Sequence, residues 1–341
     1  MSELAHELLR RVLSGLAADV RESRLRVIRG GEEGGVPDEE AVHDFRVTLR
    51  RLRTLLRIGR PLYGERGTRS IGDDLGRIAD ATGALREGEV LRQTLADLEL
   101  GDATRAALTA FDERRRRAEH ESRTAVVALL RGDAPAGQDG SVAGPGDAQA
   151  TGVGSSIEAS LAALDRRLAR GLSRRAAARP PQSDRELAHA SLRRALADVD
   201  ARAQGDVGDV DGMHELRIRF KRLRYTAELF APIVGDRATA AAKAATRMQK
   251  RLGELHDLDE ALVKVVAARG LPGAIRREVV AALRLARAKS AVRCLEELAS
   301  AEHALARLAP DLADPLGRDR ASSTGDVDGA RLAGPRPRVI R

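Results

Sequence analysis

The sequence predicts an all-α protein, and three observations carry that prediction. Apolar residues make up 43% of the 341, yet aromatic residues only 2%. Much of the apolar share is alanine, which favours helices meeting at close range, whereas sheets draw on Val, Ile, Tyr and Phe. Apolar positions recur at helical spacing through two long blocks, residues 1–131 and 157–309, with no strand-like alternation. Helix punctuation falls where this reading needs it: Pro37-Asp38 ahead of the helix bearing His43, Asp211 ahead of the one bearing His214, and Pro272-Gly273 between two long helical runs.

The two blocks are each of domain size. Between them, residues 132–156 read GDAPAGQDGSVAGPGDAQATGVGSS, a Gly, Ala, Ser and Pro composition that predicts a flexible linker. The same poverty in large apolar residues returns over 310–341, with Pro315, Pro335 and Pro337, and predicts a disordered tail.

Charge and cysteine usage exclude several classes. There are 59 basic against 51 acidic residues, a formal charge of +8, and the pI is near 10.4; excess cation implies an anionic partner. The single cysteine, Cys294, rules out both an intramolecular disulfide and a cysteine-rich zinc module. A reducing, cytoplasmic compartment is expected. No apolar run approaches the roughly 20 residues of a membrane span, and Met1–Arg11 carries Glu and His before any apolar run, so neither a membrane anchor nor a signal peptide is expected.

The chain repeats itself in three blocks that keep their order. Residues 3–13, ELAHELLRRVL, return at 186–196 as ELAHASLRRAL. Residues 43–53, HDFRVTLRRLR, return at 214–224 as HELRIRFKRLR, and the common pattern is H-x-x-R-x-x-x-[RK]-R-L-R. Gly83-Ala84-Leu85-Arg86-Glu87 pairs with Gly253-Glu254-Leu255-His256-Asp257. A duplicated helical unit follows, with two similar antiparallel bundles related by a pseudo-twofold axis.

On a helix, Phe45, Leu49, Leu52, Leu55 and Leu56 form one apolar stripe, while His43, Arg46, Arg50, Arg53 and Arg57 fall on another side. In the second copy Leu216, Phe220, Leu223 and Phe230 are apolar and His214, Arg217, Lys221 and Arg224 are basic, with Glu228 where Arg57 was. Residues 43–60 carry +5 and residues 214–224 carry +4; this exceeds the whole chain's +8, so the remainder sums to about −1. Like charges in a row destabilise a helix by a few tenths of a kcal/mol per i,i+4 pair. A bound polyanion is the simplest compensation. The run Asp112–Glu119, by contrast, mixes signs and reads as solvated surface.

These motifs resemble the conserved histidine α-helical domain, or CHAD, family. The resemblance rests on the twofold H-x-x-R-x-x-x-[RK]-R-L-R helix, on Arg222–Phe230 closing the second copy, and on the Leu-Gly-x-Leu-x-Asp pattern at Leu252–Asp257. It implies two similar bundles facing each other across a strongly basic central cavity that binds inorganic polyphosphate. The implied binding residues are His43, Arg46, Arg50, Arg51, Arg53, His214, Arg217, Lys221, Arg222 and Arg224. Arg57, Arg77, Arg247 and Lys250 would extend the basic surface. Arg86-Glu87-Gly88 departs from the family's Arg-Asp-apolar pattern, and the E-x-E-x-K strand of a triphosphate-tunnel domain is not present.

Arginine suits this ligand because its planar fork gives two parallel hydrogen bonds to one phosphate and is weakly hydrated. The implied reading is a binding module with no catalytic residue, metal or cofactor, acting in the cytoplasm, with polyphosphate granules as a place of attachment. Two alternatives stay open. Other polyanions, nucleic acid among them, share the phosphate chemistry, although the six aromatics Phe45, Tyr63, Phe111, Phe220, Tyr225 and Phe230 make a poor stacking platform. A metal-dependent enzyme would draw on the E-x-x-H pairs Glu3-His6, Glu40-His43 and Glu186-His189 or on Asp257 and Asp259.

Overall fold

A computed structural model describes residues 3–33, 39–131, 153–203 and 205–306. Among the described residues the fold is helical, with helices α1 (Ala5–Glu33), α2 (Glu39–Tyr63), α3 (Glu65–Ala81), α4 (Ala84–Ala96), α5 (Asp102–Arg131), α6 (Val153–Ala169), the short α7 (Arg174–Ala177), α8 (Asp184–Ala203), α9 (Val210–Val234), α10 (Asp236–Ala267) and α11 (Gly273–Ala306). Among the described residues the one extended contact is an isolated antiparallel bridge between Leu4 and Ser183.

Helix α1 packs on α2 and α2 on α3; likewise α8 packs on α9, and α9 on α10, which carries α11. The two series meet where α1 touches α8 and α2 touches α9. One apolar core runs through both, with Phe45, Leu49 and Leu52 of α2 and Leu216, Phe220 and Leu223 of α9 wholly buried. Burying each such side chain stabilises by roughly 2 kcal/mol. A second cluster joins Leu91 and Leu95 of α4 to Leu258 and Val265 of α10 and Val279 and Leu283 of α11.

Helices α2 and α9 end alike. Each has 25 residues with proline third from its end, Pro61 and Pro232. Proline removes one i→i−4 bond and crowds the preceding turn. A glycine with positive φ follows each helix, Gly64 at 99° and Gly235 at 85°, a conformation L side chains rarely adopt. The two glycines accept from the backbone N–H of Thr68 and Thr239 and so start α3 and α10.

The beginnings of α1 and α8 are tied together. Ala5 N–H donates to Gln182 O and Asp184 N–H to Glu3 O, both at 3.0 Å, and Glu3 N–H reaches Asp184 Oδ2 at 3.3 Å. Ser183 and Glu186 form a capping box, Ser183 N–H to Glu186 Oε2 at 2.8 Å and Glu186 N–H to Ser183 Oγ at 3.2 Å.

Several expectations change in detail. Helix α9 begins before Asp211, and its cap is Asp209, whose Oδ1 accepts from Gly212 N–H at 3.0 Å. Of the anticipated linker, Val153–Ser156 open α6, and 132–152 lie outside the described residues, as does the tail 310–341. Helix α6, which opens the second sequence block, packs on α1, α3 and α5 of the first. No helix among the described residues is long and apolar enough to cross a membrane.

Candidate functional site

The apolar stripes of α2 and α9 are spent on the core, which leaves their basic sides to the surface and to the seam between them. Along α2, arginines seven residues apart lie against α3. Arg46 Nη1 donates to Ala79 O at 2.7 Å and to Thr82 Oγ1 at 2.9 Å, capping the end of α3. The Arg53 guanidinium lies so close over Gly76 that a Cβ there would approach it to 2.7 Å. Arg60 follows over Gly72, its Nε buried. Glycines at 72, 76 and 83 thus provide the shallow floor on which these flat cations rest.

Arg217 of α9, which matches Arg46 in the sequence repeat, lies over Gly253 of α10, which matches Gly83. Arg217 Nε is 3.9 Å from where a Cβ of Gly253 would stand, and Arg46 Nη1 is 3.8 Å from that of Gly83. Beside Arg217, His214 Nδ1 stands 3.5 Å from His256 Nδ1, the rings tilted at 52°. Burial, then Arg217 and Lys221, lower the His214 pKa against the opposing pull of Glu260 and Asp211. Burial, then Arg217, His214, Lys221 and Lys264, push His256 down to about 4. Both rings are therefore biased toward the neutral form, His256 the more clearly.

Across the α2–α9 seam, Tyr225 is buried with Arg51 and Arg224 over its ring, at 5.8 and 5.7 Å from the centroid. Glu228 accepts from Arg224 Nε at 2.6 Å and pairs with Arg51 Nη2 at 3.5 Å. The protein's own carboxylate already engages these two candidate cations. A few residues along, cations crowd one another. Burial lowers the pKa of Arg222, as do Arg57, Arg219 and Arg53, while Asp198 opposes. Burial likewise lowers Arg57, together with Arg60, Arg194 and Arg219, Asp198 again opposing.

Of the sequence candidates, Arg53, Arg57 and Arg222 thus form one cationic patch, and His214, Arg217 and Lys221 form another. Arg51 and Arg224 join through Glu228, and Arg46 is a helix clamp. His43 is exposed and Arg50 half-buried on α2. Arg77 pairs with Asp74 on α3, and Arg247 with Glu297 of α11 at 2.9 Å, so both are surface ion pairs; Lys250 is exposed. Arg60, Arg194, Arg219, His256 and Lys264 were not singled out from the sequence. Arg60 continues the seven-residue spacing of Arg46 and Arg53, Arg194 lies in the repeated L-R-R run of the first block, and His256 lies in the third repeat; their membership depends on which helices meet.

Glu3, Glu186 and Asp259 are engaged elsewhere. Glu3 binds Arg11 at 2.8 Å and Glu186 serves its capping box. Asp259 pairs with Arg287. Among the described residues no three His, Cys, Asp or Glu gather as a metal site. A cleft of about 650 Å³ between α4, α10 and α11 has Glu89, Asp97, Glu254, Asp257, Lys289 and Arg293 in its walls.

A family model described as CHAD domain matches residues 19–265. Among solved structures, the CHAD domain from the plant Ricinus communis is similar at 20% identity and a TM-score of 0.61, covering 89% of this chain and 92% of that one. PptA from Streptomyces chartreusis is similar at 18% identity and a TM-score of 0.54, covering 90% of this chain and all of that one. No curated protein matches the sequence.

Proposed function

Because the chain belongs to the CHAD-domain family, we propose that it binds inorganic polyphosphate, without turning it over, on the basic sides of α2 and α9. The reading includes two duplicated helical units arranged about a shared basic hollow. The matched lengths of α2 and α9, their equivalent prolines and their glycine turns support it.

One observation carries the binding assignment. Arg53, Arg60, Arg194 and Arg219 gather from three helices around Arg57 and Arg222, offset by Asp198, by Glu215 at 3.4 Å from Arg219 and by Glu65 at 3.9 Å from Arg60. Holding half-buried guanidinium groups together costs stability that an anion returns on binding, since a charged hydrogen bond contributes about 1.5–3 kcal/mol. Polyphosphate supplies a negative charge at each unit of a narrow, flexible chain, which fits a seam between helices.

Nucleic acid fits less well. Phe45, Tyr63, Phe220 and Phe230 are wholly buried, Tyr225 is enclosed by its two arginines, and Phe111 packs against the second apolar cluster. All six aromatics are thus committed to packing, leaving no platform for stacked bases. The pairing of Asp259 with Arg287 favours binding over metal-assisted hydrolysis, and attachment to polyphosphate granules follows from binding alone.

The test is a salt-titrated polyphosphate affinity for the protein and for the double variant Arg57→Gln/Arg222→Gln, with duplex DNA as competitor. Losing two contacts should lower the log–log salt slope by about 2 and weaken binding by more than tenfold, by analogy with counterion release from other phosphate polymers. The melting temperature should stay level or rise, because repulsion is relieved. Unchanged affinity in the variant, or displacement of polyphosphate by DNA at equal phosphate concentration, overturns the assignment.

A further inference from the structure

Helix α11 rests on α10 through one side, where Leu283, Ser290, Ala291 and Cys294 are buried. Its opposite side carries Ala281, Leu285, Ala288, Val292, Leu295 and Ala299, all exposed. Leu285, Val292 and Leu295 keep 59%, 57% and 50% of their surface. Single exposed apolar residues are ordinary, but a continuous row is not. The successive spacings are 4, 3, 4, 3 and 4 residues, the a and d pattern of a coiled-coil seam. The row extends about 27 Å along the helix.

We propose that this seam is an interface between two copies of the chain, with the α11 helices antiparallel about a twofold axis near Ser290. The row is self-complementary in that orientation. Leu285 meets Leu295 of the second copy, Ala288 meets Val292, and Ala281 meets Ala299, so the leucines face one another in the layers that carry most of the apolar area and alanines close the ends. Charge fixes the direction. Lys289 and Glu296 occupy equivalent positions on one edge of the seam, one heptad apart. Side chains lean toward the N-terminus of their own helix, so in the antiparallel pair Lys289 of each copy reaches toward Glu296 of the other, twice. A parallel pair would instead set Arg284 beside Lys289 of the other copy, a like-charge contact on both edges. Lys289 is exposed, and with Leu285 it lines the cleft beside α4. The seam lies on α11, apart from the α2–α9 cations, so it stands or fails independently of polyphosphate binding.

Sedimentation equilibrium of the full chain across the micromolar range tests this directly, with circular dichroism melts to show that each variant is folded. The expected result is a reversible monomer–dimer equilibrium that Leu285→Asp/Leu295→Asp abolishes. Lys289→Glu alone and Glu296→Lys alone should each weaken the dimer by about tenfold, and the two together should restore it. Under mild oxidation Leu285→Cys/Leu295→Cys should cross-link between copies, while Leu285→Cys alone should not. A chain that is monomeric throughout, a dimer insensitive to these changes, or cross-linking by Leu285→Cys alone overturns the proposal.

Discussion

Helices α2 and α9 carry the same H-x-x-R-x-x-x-[RK]-R-L-R motif but lie against different supports. Beside α2 the backbone breaks at Thr82-Gly83 between α3 and α4, and the break exposes the last carbonyls of α3. Arg46 covers them, with bonds to Ala79 O and Thr82 Oγ1. Beside α9, α10 runs 32 residues without interruption and satisfies its own carbonyls. Arg217 there lies among His214, His256 and Lys221 instead. At the other end of the motif, Arg57 belongs to a cationic patch, whereas the residue matching it, Glu228, holds Arg51 and Arg224. One motif therefore serves as clamp, charge reservoir and self-neutralised pair, according to what the neighbouring helix offers.

The largest expected contrast comes from removing the matched arginines. Arg46→Ala should destabilise the fold by about 2 kcal/mol, because it removes two charge-assisted hydrogen bonds and leaves Ala79 O and Thr82 Oγ1 bonded only to each other. Arg217→Ala should instead let the His214 and His256 pKa values rise, since Arg217 is among the cations that depress both. Histidine NMR titrations that do not move in Arg217→Ala, or that move as much in Arg46→Ala, would erase the distinction drawn between the two helices.

A smaller contrast concerns pH. His214 and His256 are held below their unfolded value near 6.5, so the unfolded chain binds more protons between that value and about 4. Stability from this pair is therefore complete above about pH 6.5 and is lost as pH falls through the folded values. A bound polyanion reverses the bias by favouring the imidazolium, so polyphosphate affinity should rise as pH falls over the same range. Arg217 and Lys221 from α9, and Lys264 and Glu260 from α10, set the size of the effect. His256→Gln should flatten both profiles, as read from melts and binding isotherms between pH 5 and 7.5, a range bracketing the ordinary histidine pKa of about 6.5; unaltered profiles would remove the pair from the site.

The smallest effect is expected at Glu228. Glu228→Gln frees Arg51 and Arg224 and should tighten polyphosphate binding about two- to fivefold while slightly lowering the melting temperature, as suits a partly exposed ion pair. Weaker binding would mean that Glu228 orients the two arginines for the ligand.

Much of the helical layout was legible because α2 and α9 combine a clean apolar stripe with repeated punctuation. The equivalent turns Pro61-Leu62-Tyr63-Gly64 and Pro232-Ile233-Val234-Gly235 lie at the same spacing as the H-x-x-R repeat and would have strengthened the match. Periodicity also assigns Phe45 and Phe220 to the core without ambiguity. It is blind to which helices meet, and so to the arrival of Arg194 from α8 beside Arg57. It is equally blind to the glycine floor of α3, because a glycine's value there comes from a guanidinium contributed by another helix. The misplacement of the α9 cap has a simple origin: Asp209 and Asp211 are both good caps, and only the backbone path into Gly212 chooses between them.

The bridge between Leu4 and Ser183 has a consequence for biosynthesis. Glu3 finds Asp184 across 181 residues of sequence, so at 5–20 residues per second a ribosome needs roughly 10–40 s to deliver the strap that fastens the first helix. During that interval α1 can pack on α2 but not on α8, and slow translation or early release would present its uncovered side to chaperones before the structure could close.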